Sequence, residues 1–289
     1  MNFKTYENLT NCIIKNLHKI PRDVDLIVGI PRSGTMVANI LALYLNLPFT
    51  DIDKFVSGGL IKTGSTRKCK NWIKEISEAK HVLIVDDSVS SGKAINETKN
   101  LIKEKGIESH ITYLAVYALA ASCRKVDIYF ELCEQPRMFE WNYMHHWALE
   151  YCCMDINNII FEKVRQRKIP KFIPTQKVGG LIACENAEEW LKEYGIEYDN
   201  ICLVKNESNI AEEIARIYKK SKYILFFEYD EKMAQNICVL SGKPVFCVSS
   251  RKLMKSDNIC ANLVNNVNEG RLTWRRIIKK IFGKITYVK

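Results

Sequence analysis

Two α/β units in tandem are predicted by this 289-residue sequence: a doubly wound parallel sheet, then a second, smaller α/β domain. Three observations predict this. Short apolar runs suited to buried strands alternate with stretches of helical period along the chain. The runs at residues 25–28 and 82–85 each end in a turn of small residues that leads into a helix. Near residues 140–150 the composition shifts from aromatic to apolar and then to strongly basic, which marks a junction. The expected division is 1–145, 146–260 and a basic C-terminal helix or tail over 261–289.

In chain order, Leu9, Ile13, Ile14, Leu17 and Ile20 recur at helical spacing, so residues 5–20 are expected to open the chain as an amphipathic helix. Asp25 to Val28 reads as a buried strand, followed by the turn GIPRSGT (29–35) and a helix through Val37, Ile40, Leu41 and Leu45. Arg32 supplies a fixed cationic fork in that turn, and Gly34 allows close backbone approach. Residues 52–56 suggest a short strand. The segment 57–68, SGGLIKTGSTRK, reads either as a surface hairpin or as a lid whose Lys62 and Arg67 close over an anion.

The next unit is HVLIVDDSVSSGKAI (81–95). Val82 to Val85 form a strand that runs into Asp86 and Asp87, and the chain then turns through Ser88, Ser90, Ser91 and Gly92 into a helix over Ile95, Leu101 and Ile102. Free backbone N–H groups and a helix dipole at the carboxyl edge of a sheet form a ready phosphate site. The two carboxylates can serve cis hydroxyls of the same ligand, which points to a ribose 5-phosphate. Strands at 110–119 and 126–130 continue the sheet. In such sheets ligands sit at the carboxyl ends of the strands, so the turns 29–35 and 86–94 are expected to converge.

Other features bound the function. The formal charge is +10, but acids and bases alternate over much of the chain, and residues 271–289 hold seven bases and no acid. That tail, with Trp274, Ile277, Ile278, Ile281 and Phe282 among cations, reads as a last helix packed on the second domain or as a basic amphipathic helix touching a membrane surface. Charge alone does not make a nucleic-acid module, so no nucleic-acid partner is expected. Without a secretory signal or a membrane-spanning run, a cytoplasmic protein is expected. Eleven scattered cysteines without a CxxC pair read as buried apolar residues in a reducing compartment. The aromatic stretch 135–149 reads as interdomain packing or as a base-stacking platform, with Phe139, Trp141 and Tyr44 as candidates beside a base. His145 and His146 are read as structural or surface residues.

The stretch 82–95, joined to GIPRSG, resembles the type I phosphoribosyltransferase family over roughly residues 1–140. The resemblance implies that Ser90, Ser91, Gly92, Lys93 and Ala94 hold the 5-phosphate of phosphoribosyl pyrophosphate, that Ser88 also binds substrate, that Asp86 and Asp87 bind the ribose, and that Arg32, Ser33 and Gly34 face the diphosphate and its magnesium. Ala94 stands where the family often has a hydroxyl. Residues 57–68 fall where the family has its mobile loop, which gives Lys62 and Arg67 a substrate-binding role. Asp86, Asp87 and Arg32 are the implied catalytic residues, with magnesium held through the substrate beside Asp86 and Asp87. The partners implied are phosphoribosyl pyrophosphate and a small acceptor, either a nucleobase or a compound of surface-glycan metabolism, in a homodimer. A non-catalytic sensor or scaffold that binds phosphoribosyl pyrophosphate or a nucleotide is the alternative.

Beyond the junction, FEWN, CMDI, AEEWLKEYGIEYD and LFFEYDEKMAQNICVLSGKPVFCV resemble the haloacid-dehalogenase-like domain of bacterial fusion proteins that begin with a phosphoribosyltransferase domain. The resemblance puts Asp155 at the nucleophile position. Asn157 stands where a second aspartate belongs, and Ile214 is the rough counterpart of the lysine. The site is expected to be degenerate, without phosphatase activity, because the general acid is missing and magnesium loses charge around it.

Overall fold

A computed structural model of the chain describes residues 2–59, 73, 75–164, 167–183, 187–204 and 209–256. The backbone divides into two units, Asn2–Arg137 and Met138 onward. Lys62, Arg67 and the basic tail lie outside the described residues.

The first unit starts with β1 (Asn2–Lys4) and α1 (Tyr6–Asn16). Helix α1 begins where it does because of a capping box: the Asn8 amide N–H donates to the Thr5 hydroxyl, and the Thr5 N–H donates to the Asn8 side chain. The expected helix over 5–20 therefore ends at Asn16, and Leu17–Lys19 tighten into a 3-10 turn. Next come β2 (Leu26–Gly29), α2 (Ser33–Leu45), β3 (Phe49–Asp51) and α3 (Ile52–Ser57). They are followed by β4 (His81–Val89), α4 (Lys93–Glu104), β5 (His110–Ala118) and β6 (Ile128–Leu132).

These strands form one five-stranded sheet in the order β3-β2-β4-β5-β6, and every pairing in it is parallel. The near-continuous apolar runs of β2, β4 and β5 follow from burial on both faces. Leu26, Val28, Val82, Ile84 and Ala115 pack in one core cluster with Phe55 and Ile95. At the amino edge, the Asp25 carboxylate accepts from the N–H groups of Lys80 (2.9 Å) and His81 (3.1 Å) and so clamps the start of β2 to the start of β4.

Two expectations are corrected here. Residues 52–56 are helical, because the Asp51 carboxylate caps α3 by accepting from the Lys54 N–H at 2.8 Å, and Gly58 closes it at φ 85°. Strand β4 also does not stop at Val85. It pairs with β5 through Val89, which places Asp86, Asp87 and Ser88 inside the strand and leaves only Ser90–Gly92 to turn.

Strand β7 (Arg137–Phe139) spans the division between the units. The second unit then holds β8 (Cys152–Asp155), β9 (Phe161–Val164), β10 (Arg167–Pro170), β11 (Val178–Ala183), α5 (Glu188–Glu193) and β12 (Tyr198–Leu203). It continues with α6 (Ile210–Lys220), β13 (Leu225–Glu228), α7 (Glu231–Ser241), β14 (Val245–Cys247) and β15 (Lys252–Met254). Its sheet is mixed, in the order β12-β11-β8-β13-β14-β15, with only β15 antiparallel. The basic stretch after Ile160 folds as the antiparallel hairpin β9–β10, which its charge did not foretell.

Within this unit Tyr143 stacks on Phe227 at 5.1 Å, so that part of the aromatic stretch belongs to the second unit's own core. His145 pairs through Nδ1 with the Thr175 hydroxyl (2.8 Å), and His146 Nδ1 accepts from the Ala148 N–H (3.2 Å). Cys152 and Cys153 are buried free thiols, and burial pushes both pKa values up. Among the described residues no helix is long and apolar enough to cross a membrane.

Candidate functional site

The carboxyl end of β4 and the turn after it enclose a cavity of about 400 Å³. Asp86, Ser88, Ser90, Ser91, Gly92, Lys93 and Ala94 line it. Gly92 has φ 75°, a left-handed conformation that favours glycine, and it takes the N-cap position of α4, where the Lys93 N–H donates to the Ser91 hydroxyl at 3.3 Å. The N–H groups of the first turn of α4 and its dipole thus meet at this edge of the cavity. Lys93 is drawn to Glu97 at 3.8 Å, an exposed pair along the helix.

The two turns do converge. The Ile30 N–H donates to the Val85 carbonyl at 2.9 Å. Gly34 lies so close to the end of β4 that an added Cβ would stand 2.5 Å from the Val85 oxygen and 3.1 Å from Asp86 Oδ1. Helix α2 starts at Ser33, so Ser33 and Gly34 form its first turn rather than a loop before it. Arg32, exposed, takes the N-cap position, and the Pro31–Arg32 peptide is cis.

The acidic pair is sharply asymmetric. Asp86 lines the cavity, while Asp87 is 6% exposed and is not among the lining residues. The Asp87 N–H donates to Asp86 Oδ1 at 2.8 Å. Burial pushes the Asp86 carboxyl up to about 8, and the negative charge and side-chain hydrogen bond of Asp87 add to the rise. Asp86 therefore holds a proton more readily than an exposed carboxyl, and an incoming cation or cationic centre would favour its charged form.

Sequence reasoning missed two cations. Arg137 is buried at 4% exposure, donates to the carbonyls of Cys133 (3.3 Å) and Val89 (3.2 Å), and feels the charge of Asp87. Lys125, on the β5–β6 connection, donates through Nζ to the Ser91 carbonyl. Neither carries a local signal, because each reaches the turn from 34 or more residues away.

At the end of the second sheet, Asp155 Oδ1 accepts from the Asn157 N–H (2.8 Å) and from the Asn157 side-chain amide (3.1 Å). In the neighbouring strand Glu228 stands one residue past the Phe227–Met154 pair, which puts it opposite Asp155. Burial pushes Asp155 up to about 6, against the two Asn157 hydrogen bonds, and pushes Glu228 up to about 8, helped by the charge of Asp155. Ile214 is buried in α6 at 1% exposure.

Comparison with known proteins agrees with the geometry of the first unit. Residues 4–146 match the family model described as the phosphoribosyl transferase domain. The chain is 27% identical over 119 residues to a hypoxanthine/guanine phosphoribosyltransferase of Methanobrevibacter ruminantium, across 37% of this chain and 63% of that one. It is 28% identical over 100 residues to the transcriptional regulator GfcR of Methanococcoides burtonii, across 34% of this chain and 47% of that one. It thus spans less than two thirds of either relative. Similar solved structures include the xanthine-guanine-hypoxanthine phosphoribosyltransferase of Helicobacter pylori, with TM-score 0.36, 18% identity and coverage of 48% of this chain and 90% of that one. The purine phosphoribosyltransferase of Pyrococcus horikoshii gives TM-score 0.35 and 21% identity, with 48% and 92% covered.

Proposed function

We propose that the first unit transfers phosphoribose from phosphoribosyl pyrophosphate to a nucleobase-like acceptor. The observation that carries this reading is the cavity of about 400 Å³ in which Asp86 and residues Ser88–Ala94 face one space. A phosphate would sit on the turn and the head of α4, with the ribose hydroxyls toward Asp86 and Asp87 and the diphosphate toward Arg32, Ser33 and Gly34. Lys62 and Arg67, on the proposed lid, would exclude water.

As the pyrophosphate leaves, positive charge grows at the anomeric carbon and negative charge on the departing oxygens. Deprotonated Asp86 with Asp87 favours the first, and Arg32 the second. Magnesium, when bound, neutralises diphosphate charge. Among the described residues no three His, Cys, Asp or Glu side chains gather to hold a metal. An ion brought by the substrate would be touched by Asp86 and Asp87, and its charge would favour the ionised form of the buried Asp86 carboxyl.

The test is pyrophosphate release with purine and pyrimidine bases, for the wild type and for Asp86→Asn/Asp87→Asn. Release with one base, reduced about 100-fold in the double variant, supports the reading. A binding-only role gains from the 28% identical regulator. It prevails if phosphoribosyl pyrophosphate raises the melting temperature while no acceptor gives turnover.

For the second unit, the reading is a degenerate haloacid-dehalogenase-like domain without phosphatase activity. What supports it is Asp155 at the end of a central parallel strand, with the Asn157 amide occupying its carboxylate. Hydrolysis of p-nitrophenyl phosphate above that of Asp155→Asn would refute it.

A further inference from the structure

The turn Ser90–Ala94 has hydroxyls and backbone N–H groups but little fixed positive charge of its own, since Lys93 faces Glu97. The charge on it comes from Lys125, at the end of the 3-10 turn Cys123–Lys125. Three contacts fix this lysine. Its Nζ donates to the Ser91 carbonyl, its stem covers Gly92 so closely that a Cβ there would run into Cδ, and its own carbonyl accepts from Lys99 Nζ at 3.1 Å. The loop that carries it is fastened to the same turn: the Ser122 hydroxyl donates to the Val89 carbonyl at 3.4 Å, and the Leu119 N–H does so at 3.3 Å.

A peptide plane has its C=O and N–H on opposite sides. With the Ser91 carbonyl turned to Lys125, the N–H of Gly92 faces away from Lys125, and Gly92 itself lines the cavity. An ammonium on the carbonyl also polarises that peptide and strengthens the N–H as a donor.

Resting on the phosphoribosyl reading, we propose that Lys125 is a positioning residue of this turn. It fixes the Gly92 N–H and supplies the charge that selects a phosphomonoester over an unphosphorylated sugar. It also stands in for the hydroxyl absent at Ala94. Because Lys125 is exposed, its replacement leaves the fold intact.

The experiment is calorimetric titration of the full chain with inorganic phosphate, ribose 5-phosphate and ribose, for the wild type, Lys125→Met, Lys125→Arg and Asp86→Asn. Lys125→Met is expected to weaken both phosphate-bearing probes about tenfold and leave ribose unchanged, while Lys125→Arg stays within about threefold of wild type. Asp86→Asn should weaken ribose 5-phosphate and spare inorganic phosphate. Equal affinities for wild type and Lys125→Met overturn the proposal, as does a loss in Lys125→Arg as large as that in Lys125→Met. Wild type that binds inorganic phosphate no less tightly than ribose 5-phosphate, with the Lys125 pattern intact, sinks the phosphoribosyl reading and keeps Lys125. Wild type that binds neither probe overturns both.

Discussion

The chain places a buried carboxylate at the end of a parallel strand twice, and the two ends differ in the residues just beyond the strand. After Asp86 come a second acid, a turn with Gly92 at positive φ and the head of a 12-residue helix, around a cavity. After Asp155 the chain returns an amide to its own carboxylate, through Asn157 at 3.1 Å. Both ends raise a carboxyl pKa, to about 8 at Asp86 and about 6 at Asp155, and in both cases burial is the first cause. A shifted carboxylate is therefore common to the two ends. The donors aimed at an anion are what set the first apart.

The severest way to break the contrast is Gly34→Val. Its Cβ would stand 2.5 Å from the Val85 oxygen, so urea unfolding should show a loss of about 3 kcal/mol together with loss of ligand binding.

Next come the pH slopes. A carboxyl whose folded pKa is raised holds its proton in the folded state where the unfolded chain has lost it. Stability is then greatest near pH 4 and falls as pH rises through about 8, for both Asp86 and Glu228. Asp86→Asn and Glu228→Gln should each flatten the fall of the unfolding free energy over pH 4–8. Saturating magnesium and phosphoribosyl pyrophosphate should flatten the Asp86 contribution alone. If the ligand acts equally on both variants, the two ends are alike after all.

Asn157→Asp sharpens the difference from the other side. It removes an amide donor from Asp155 and adds a like charge, so it should cost about 1.5 kcal/mol at pH 8 and less at pH 5, read from urea midpoints. The smallest effect is expected from Lys93→Ala. Its pair with Glu97 is 81% and 66% exposed, and thermal unfolding should move by less than about 0.5 kcal/mol.

The strands β2, β4 and β5 were legible because burial on both faces demands unbroken apolar runs, and the turn at Gly92 because small residues must come after them. The convergence of Gly34 on Asp86 followed from parallel topology. What escaped depends on single side-chain contacts or on distance in the chain. Nothing in the apolar content of residues 52–56 reveals that Asp51 will cap a helix there, and the pairing of Ser88 and Val89 with β5 is decided by a partner strand. Lys125 and Arg137 reach the turn from across the fold, and a linear pattern holds no trace of that.

The Asp25 clamp has a consequence at the opposite end of the sheet. One carboxylate joins the amides at 80 and 81, 55 and 56 positions further on, at the edge of the sheet away from the ligand. The register of β2 against β4 is thus pinned at the end of the sheet opposite the turns, and that same register sets how closely Gly34, just past β2, comes to the end of β4.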